Sequence, residues 1–184
     1  MHSHDRTLLS KLGFGDVDRK NKDHELACLY LSQRDIGRQL VSRLCGDDDS
    51  LDIENSAIEV ALSKGEGQYK TTIGFLDVRI DFSYIRTCKP SCCSDSVHIC
   101  YGVAIIEVKN AVCDVSEIIR QINLYKAHFQ CVHYEFWIVA TTYNISALDS
   151  AALTAAGLRH VFLGKGFRSW CEANAGVASS VVEI

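Results

Sequence analysis

The chain has 184 residues, 47% of them hydrophobic and 23% charged, enough for one soluble globular domain with its own core. Its net charge of −4 argues against a protein that coats nucleic acid through cation–phosphate contacts alone, while leaving room for a local basic groove. The first residues, Met1 to Arg6, lack the apolar core of a signal peptide, and no apolar run reaches the ~18–20 residues of a membrane span, so a cytoplasmic protein with no membrane partner is expected.

In chain order, residues 1–22 are polar and read as an N-terminal extension, with a short helix around Leu8–Leu12. From Asp23, a plausible N-cap, to about Leu44, apolar residues recur at spacings of three and four, which predicts one long helix. Ala57–Ser63 reads as a strand and Lys64-Gly-Glu-Gly67 as a hairpin turn. Leu76, Val78, Ile80 and Phe82 then alternate with Asp77, Arg79 and Asp81, the period of a strand with one polar face. Residues 87–100 break the pattern with cysteines, serines and the single proline, and read as an insertion. Tyr101–Val108 is apolar on both faces and should be a central strand.

Asp114-Val-Ser-Glu117 matches a capping box and opens a helix whose inner stripe is Ile118, Ile122, Tyr125 and Phe129. Tyr134–Thr141 is a further strand, Ser146–Ala156 a helix closed by Gly157, Arg159–Leu163 a short strand, and Phe167 to about Ala175 a helical tail. With neither repeats nor a linker, residues 1–184 are expected to form a single α/β domain. The first strands should form an antiparallel meander, and the strand–helix–strand unit 101–141 a right-handed parallel crossover.

Three short patterns carry chemistry. Glu107 and Lys109 lie two apart on one strand and so share a face, where two charges beside an apolar run are costly to desolvate. Asp77 lies on the polar face of its strand together with Asp81, and either could meet Glu107 at a divalent cation; Mg²⁺ favours one or two carboxylates plus water and phosphate. Gln121 and Tyr125, four apart, share the inward face of a helix, where a Gln needs hydrogen-bond partners.

The order Gly74-x-x-Asp77, then Glu107-x-Lys109, then Gln121-x-x-x-Tyr125 resembles the PD-(D/E)xK nuclease superfamily, in particular its RecB-like branch. The resemblance covers roughly residues 23–141. It implies a restriction-endonuclease-like three-layer core, a mixed β-sheet flanked by helices in the order αβββαβ. It further implies a Mg²⁺- or Mn²⁺-dependent deoxyribonuclease with Asp77 and Glu107 as metal ligands, joined by the backbone carbonyl of Val108. Lys109 would orient the water or a phosphate oxygen, and Gln121 and Tyr125 would support the site and contact substrate. Gly74, at the family's spacing, favours Asp77 over Asp81. In many members a Glu of the first helix reaches the metal; Glu25 is the candidate, against a plain first-turn Glu favoured by the helix dipole.

The expected partner is DNA, with a homodimer or a larger nucleic-acid-processing complex beyond it. The alternative is a catalytically inactive nuclease-fold module that binds nucleic acid or protein.

Nine cysteines, an odd count without a secretion signal, argue against a disulfide framework. Cys88, Cys92 or Cys93, His98 and Cys100 could form a zinc site, although their spacing matches no strong zinc pattern. Some CRISPR-associated relatives with the Gln-x-x-x-Tyr helix hold an iron–sulfur cluster; here only Cys171 stands near the C-terminus.

Overall fold

The apolar stretch around Ile105 builds the middle of the molecule. In a computed structural model, which describes residues 19–45, 50–64, 71–87, 97–111, 113–129 and 134–179, Val97–Lys109 forms β3. It is the third of five strands, with β1 (Asp52–Lys64), β2 (Thr71–Thr87), β4 (Tyr134–Thr141) and β5 (Arg159–Phe162), whose spatial order follows the chain. β1, β2 and β3 pair antiparallel, whereas β3, β4 and β5 pair parallel, as the meander and crossover expected from the sequence require.

Alternation along β3 feeds two cores. Ala104, Ile106 and Val108 face α1 (Arg19–Leu31), α2 (Arg34–Cys45) and α5 (Gly164–Ser179), where they meet Leu31, Val41 and Phe167. Val103 and Ile105 face α3 (Val115–Lys126) and α4 (Ala147–Ala155), meeting Ile118, Ile122 and Leu153. The result is a three-layer α/β structure with a mixed sheet between two helical layers. Close packing reaches the backbone at Gly102, where an added Cβ would lie 2.3 Å from Cζ of its cross-strand neighbour Phe82.

The first long helix departs from expectation. It is two helices, broken at Ser32–Gln33, where the Ser32 hydroxyl and the Gln33 amide both donate to the Leu29 carbonyl (2.9 and 3.0 Å). Short polar side chains that compete for helix carbonyls favour such a stop. Asp23 lies inside α1, which begins at Arg19, and is therefore not its cap. β1 and β2 are longer than their apolar cores suggested, and Val97–Cys100, expected in the insertion, already belong to β3. The Leu8–Leu12 helix and the turn after Lys64 lie outside the described residues.

Local signals held better downstream. Asp114 caps α3 by accepting from the Ser116 amide (2.8 Å), Ser146 caps α4 by accepting from the Asp149 amide (3.1 Å), and Gly157 follows α4 with φ 70°. Among the described residues, no helix is long and apolar enough to cross a membrane.

Candidate metal centre

β2 is paired with β3 only as far as Val78, opposite Ile106, but with β1 as far as Thr71, opposite Lys64. Beyond Val78 the two strands therefore run on as a two-stranded arm. Val60, Leu62 and Leu76 turn one face of the arm onto Ile118, Ile122 and Tyr125 of α3. Yet Val78, only two residues after Leu76, belongs to the core on the other side of the sheet. Strand alternation is broken at this point, and Asp77 sits at the break.

Opposite Asp77 on β1 stands Glu59, since Ile58 pairs with Val78 and Val60 with Leu76. Glu59 has φ 55°, the one positive φ at a non-glycine among the described residues. A Glu held in the left-handed region costs on the order of 1–3 kcal/mol and persists only where surroundings impose it. On the other flank the last β2–β3 pair is Val78 with Ile106, and one residue further the same register brings Asp77 beside Glu107. Glu59, Asp77 and Glu107 thus stand abreast on three neighbouring strands.

α1 closes the group from above. His24 Nε2 lies 3.3 Å from Asp77 Oδ2, and the same oxygen accepts from the Val108 amide at 2.7 Å. On the far side of the ring, Nδ1 is 3.8 Å from the sulfur of buried Cys28. One ligand atom each from His24, Glu59 and Asp77 lies within 4.8 Å of the others.

A hydrogen-bonded chain adjoins them: Lys109 Nζ donates to Glu107 Oε1 (2.7 Å) and Gln121 Oε1 (3.2 Å), and Gln121 Nε2 donates to the Tyr125 hydroxyl (2.8 Å). Tyr125 reaches this place because residue 74 is Gly; a Cβ there would stand 2.8 Å from Tyr125 Cε1 and 3.0 Å from its hydroxyl.

The electrostatics follow from the crowding of acids. Burial, and then the charge of Asp77, push the Glu107 carboxyl up to about 7 against the pull of Lys109; its side chain is 7% exposed. Burial and Asp77 likewise raise Glu59, and burial raises Glu25. The bond to Asp77 holds the His24 imidazolium above its ordinary value although burial opposes it. Burial also works against the Lys109 ammonium, but Glu107 outweighs it and Lys109 ends above its usual value.

Sequence reasoning thus named Asp77, Glu107, Lys109, Gln121 and Tyr125, and the fold gathers all five. Asp81 is held by Arg79 through two bonds of 2.8 and 3.0 Å rather than by the acid cluster. Glu25 lies beside His24 with a buried Oε1 that has no hydrogen-bond partner, and His24 is the α1 residue that touches Asp77. Val108 contributes its amide to Asp77.

His24 and Glu59 were missed. The one signal for Glu59 was an acid between Ile58 and Val60 in an apolar strand; His24 had no local signal. Of the suggested cysteine site, Cys88, Cys92 and Cys93 lie outside the described residues, His98 is exposed and Cys100 half-buried.

No protein-family model and no curated protein matches the chain. Among solved structures it is similar to the crystal structure of protein VC1899 from Vibrio cholerae, with 12% identity and a TM-score of 0.43 over 73% of this chain. The match spans 30% of that longer chain.

Proposed function

We propose that this protein is a metal-dependent nuclease of the PD-(D/E)xK type, RecB-like in its motifs, that hydrolyses phosphodiester bonds in DNA in the cytoplasm. The observation that carries this reading is the meeting of two groups at one spot: a His24–Glu59–Asp77 cluster, and a Lys109 held between Glu107 and Gln121. Three carboxylates face a single lysine there, and the pKa values of Glu59 and Glu107 are raised by burial and by Asp77, so the site is short of positive charge. The donor set fits Mg²⁺ or Mn²⁺: carboxylate oxygens suit both ions, and the imidazole of His24 suits Mn²⁺ better.

When bound, such an ion supplies a polarised water and positive charge for the phosphate oxygens. The chain supplies the rest. His24, Glu59, Asp77 and Glu107 would hold the ion. Lys109, anchored by Gln121, presents its ammonium as a point charge to a phosphate oxygen or to the attacking water. Burial and the charge of Asp77 raise Glu107, so a bound ion would relieve that crowding and favour its ionised form. Tyr125 keeps Gln121 oriented through its hydroxyl.

The experiment is a cleavage assay with Mg²⁺ and with Mn²⁺ on linear, nicked, single-stranded and branched DNA, run beside Asp77→Asn and a thermal melt in each metal. The expected result is metal-dependent cleavage by the wild type, its loss in Asp77→Asn, and a rise in melting temperature with metal that the variant lacks. No cleavage of any substrate together with no thermal response to either metal would reject the reading.

A further inference from the structure

We propose that the outer face of the β1–β2 arm is the track on which single-stranded DNA enters the metal centre, with the Phe75 ring stacking on a base that flanks the scissile phosphate. The inference rests on the nuclease reading and adds a substrate form and a residue to it. Leu76 points into the α3-side core, so by strand alternation Phe75 points the opposite way, toward the α1 side of the sheet; Asp77, at the break in alternation, reaches that side through its contact with His24 of α1. Two residues along a strand span ~7 Å, which is two base-stacking steps of ~3.4 Å. A nucleotide whose phosphate lies at Asp77 therefore has a flanking base within reach of the Phe75 ring.

The ring is open to receive it. Phe75 is 42% exposed, and its cross-strand partner is Ala61, itself exposed and offering only a methyl group. The inner face of the same arm, by contrast, is packed with Val60, Leu62 and Leu76. Lone exposed aromatics are common on protein surfaces; Phe75 differs in standing next to Asp77 on the same face.

Between the two forms of DNA, charge favours the unpaired strand, which carries fewer phosphates per length. Arg79 is held by Asp81 and lies over the Phe129 ring, Lys126 lies over the Trp137 ring, and the whole chain carries −4. Apart from Lys109 and a bound ion at the scissile phosphate, phosphate contacts from Arg79 and Lys126 are thus weakened, and base stacking, worth about tenfold per base, adds to what remains. Bases in a duplex are already stacked and paired, so only an unpaired strand can offer a face to Phe75.

The experiment compares wild type, Phe75→Ala and Phe75→Tyr for binding of a single-stranded oligonucleotide carrying 2-aminopurine and of a blunt duplex, in Ca²⁺, and for cleavage of both in Mn²⁺. The expected result is single-strand binding weakened about tenfold or more in Phe75→Ala, lost 2-aminopurine quenching, and unchanged duplex binding. Phe75→Tyr, which keeps the ring, should behave as wild type. Equal single-strand binding and quenching by wild type and Phe75→Ala overturns the inference even if the wild type cuts DNA. If the wild type cuts nothing, the nuclease reading falls, and the binding ratio still decides the role of Phe75.

Discussion

Replacing Glu107 with Gln should stabilise the metal-free protein, and by an amount that depends on pH. The carboxyl has its pKa raised from 4.5 to about 7 because it is buried next to Asp77. A folded-state pKa above the unfolded one means that the folded state binds the proton more tightly. That contribution is complete below about pH 4.5 and is lost as pH rises through about 7.

At about 1.36 kcal/mol per pKa unit, the ionised Glu107 costs about 3 kcal/mol at pH 8, and less than about 1 kcal/mol at pH 5. Gln keeps the shape and an oxygen for Lys109 but carries no charge. For a chain of this length, about 3 kcal/mol corresponds to a rise in melting temperature of about 6–12 °C. The assay is thermal denaturation of both proteins in EDTA across pH 5 to 8, followed by repetition in Mn²⁺. The gap between variant and wild type should open with rising pH and shrink when metal neutralises the acids. A gap of equal size at pH 5 and pH 8, or a variant less stable than wild type at pH 8, would refute the argument that Glu107 is an uncompensated buried charge.

Gly74→Ala should cost about 1–3 kcal/mol of stability, because its methyl would meet the Tyr125 ring at 2.8 Å; pairing it with Tyr125→Ala should recover much of the clash energy, as a double-mutant cycle would measure. Glu59→Gly should raise the melting temperature by relieving the positive φ while weakening Mn²⁺ binding, read by calorimetry; equal metal affinity would remove Glu59 from the centre. Lys109→Ala should abolish cleavage with the fold intact by circular dichroism. Gln121→Ala should lower cleavage more than Tyr125→Phe, because it frees the Lys109 ammonium directly rather than through one hydroxyl.

How much of this could be read from the chain depends on whether the signal is local. β3 and β4 were legible because each is a run of apolar residues, and α3 and α4 because Asp114, Ser146 and Gly157 punctuate them. Glu107, Lys109, Gln121 and Tyr125 could be tied together from spacing, since strand and helix periods decide which side chains share a face. The break between α1 and α2 was hidden because Leu29 and Ile36, seven apart, keep one helical face across the polar residues 32–35, while the stop is made by hydrogen bonds to Leu29. Strand ends were underestimated because the outer parts of β1 and β2 carry polar residues such as Glu54 and Ser83, which pair across the strands without an apolar alternation to mark them. Glu59 and His24 join the centre through cross-strand register and helix docking, and neither is written in the residues adjacent to them.

The bond from the Val108 amide to Asp77 makes a main-chain proton an observer of the site. A carboxylate acceptor at 2.7 Å pulls such a proton's NMR resonance downfield and slows its exchange with solvent. The Val108 resonance should therefore move whenever Asp77 changes its charge or takes a new partner. Titration with a diamagnetic ion such as Mg²⁺ can be followed at that one nucleus, in the wild-type sequence, without substrate, label on a side chain, or turnover.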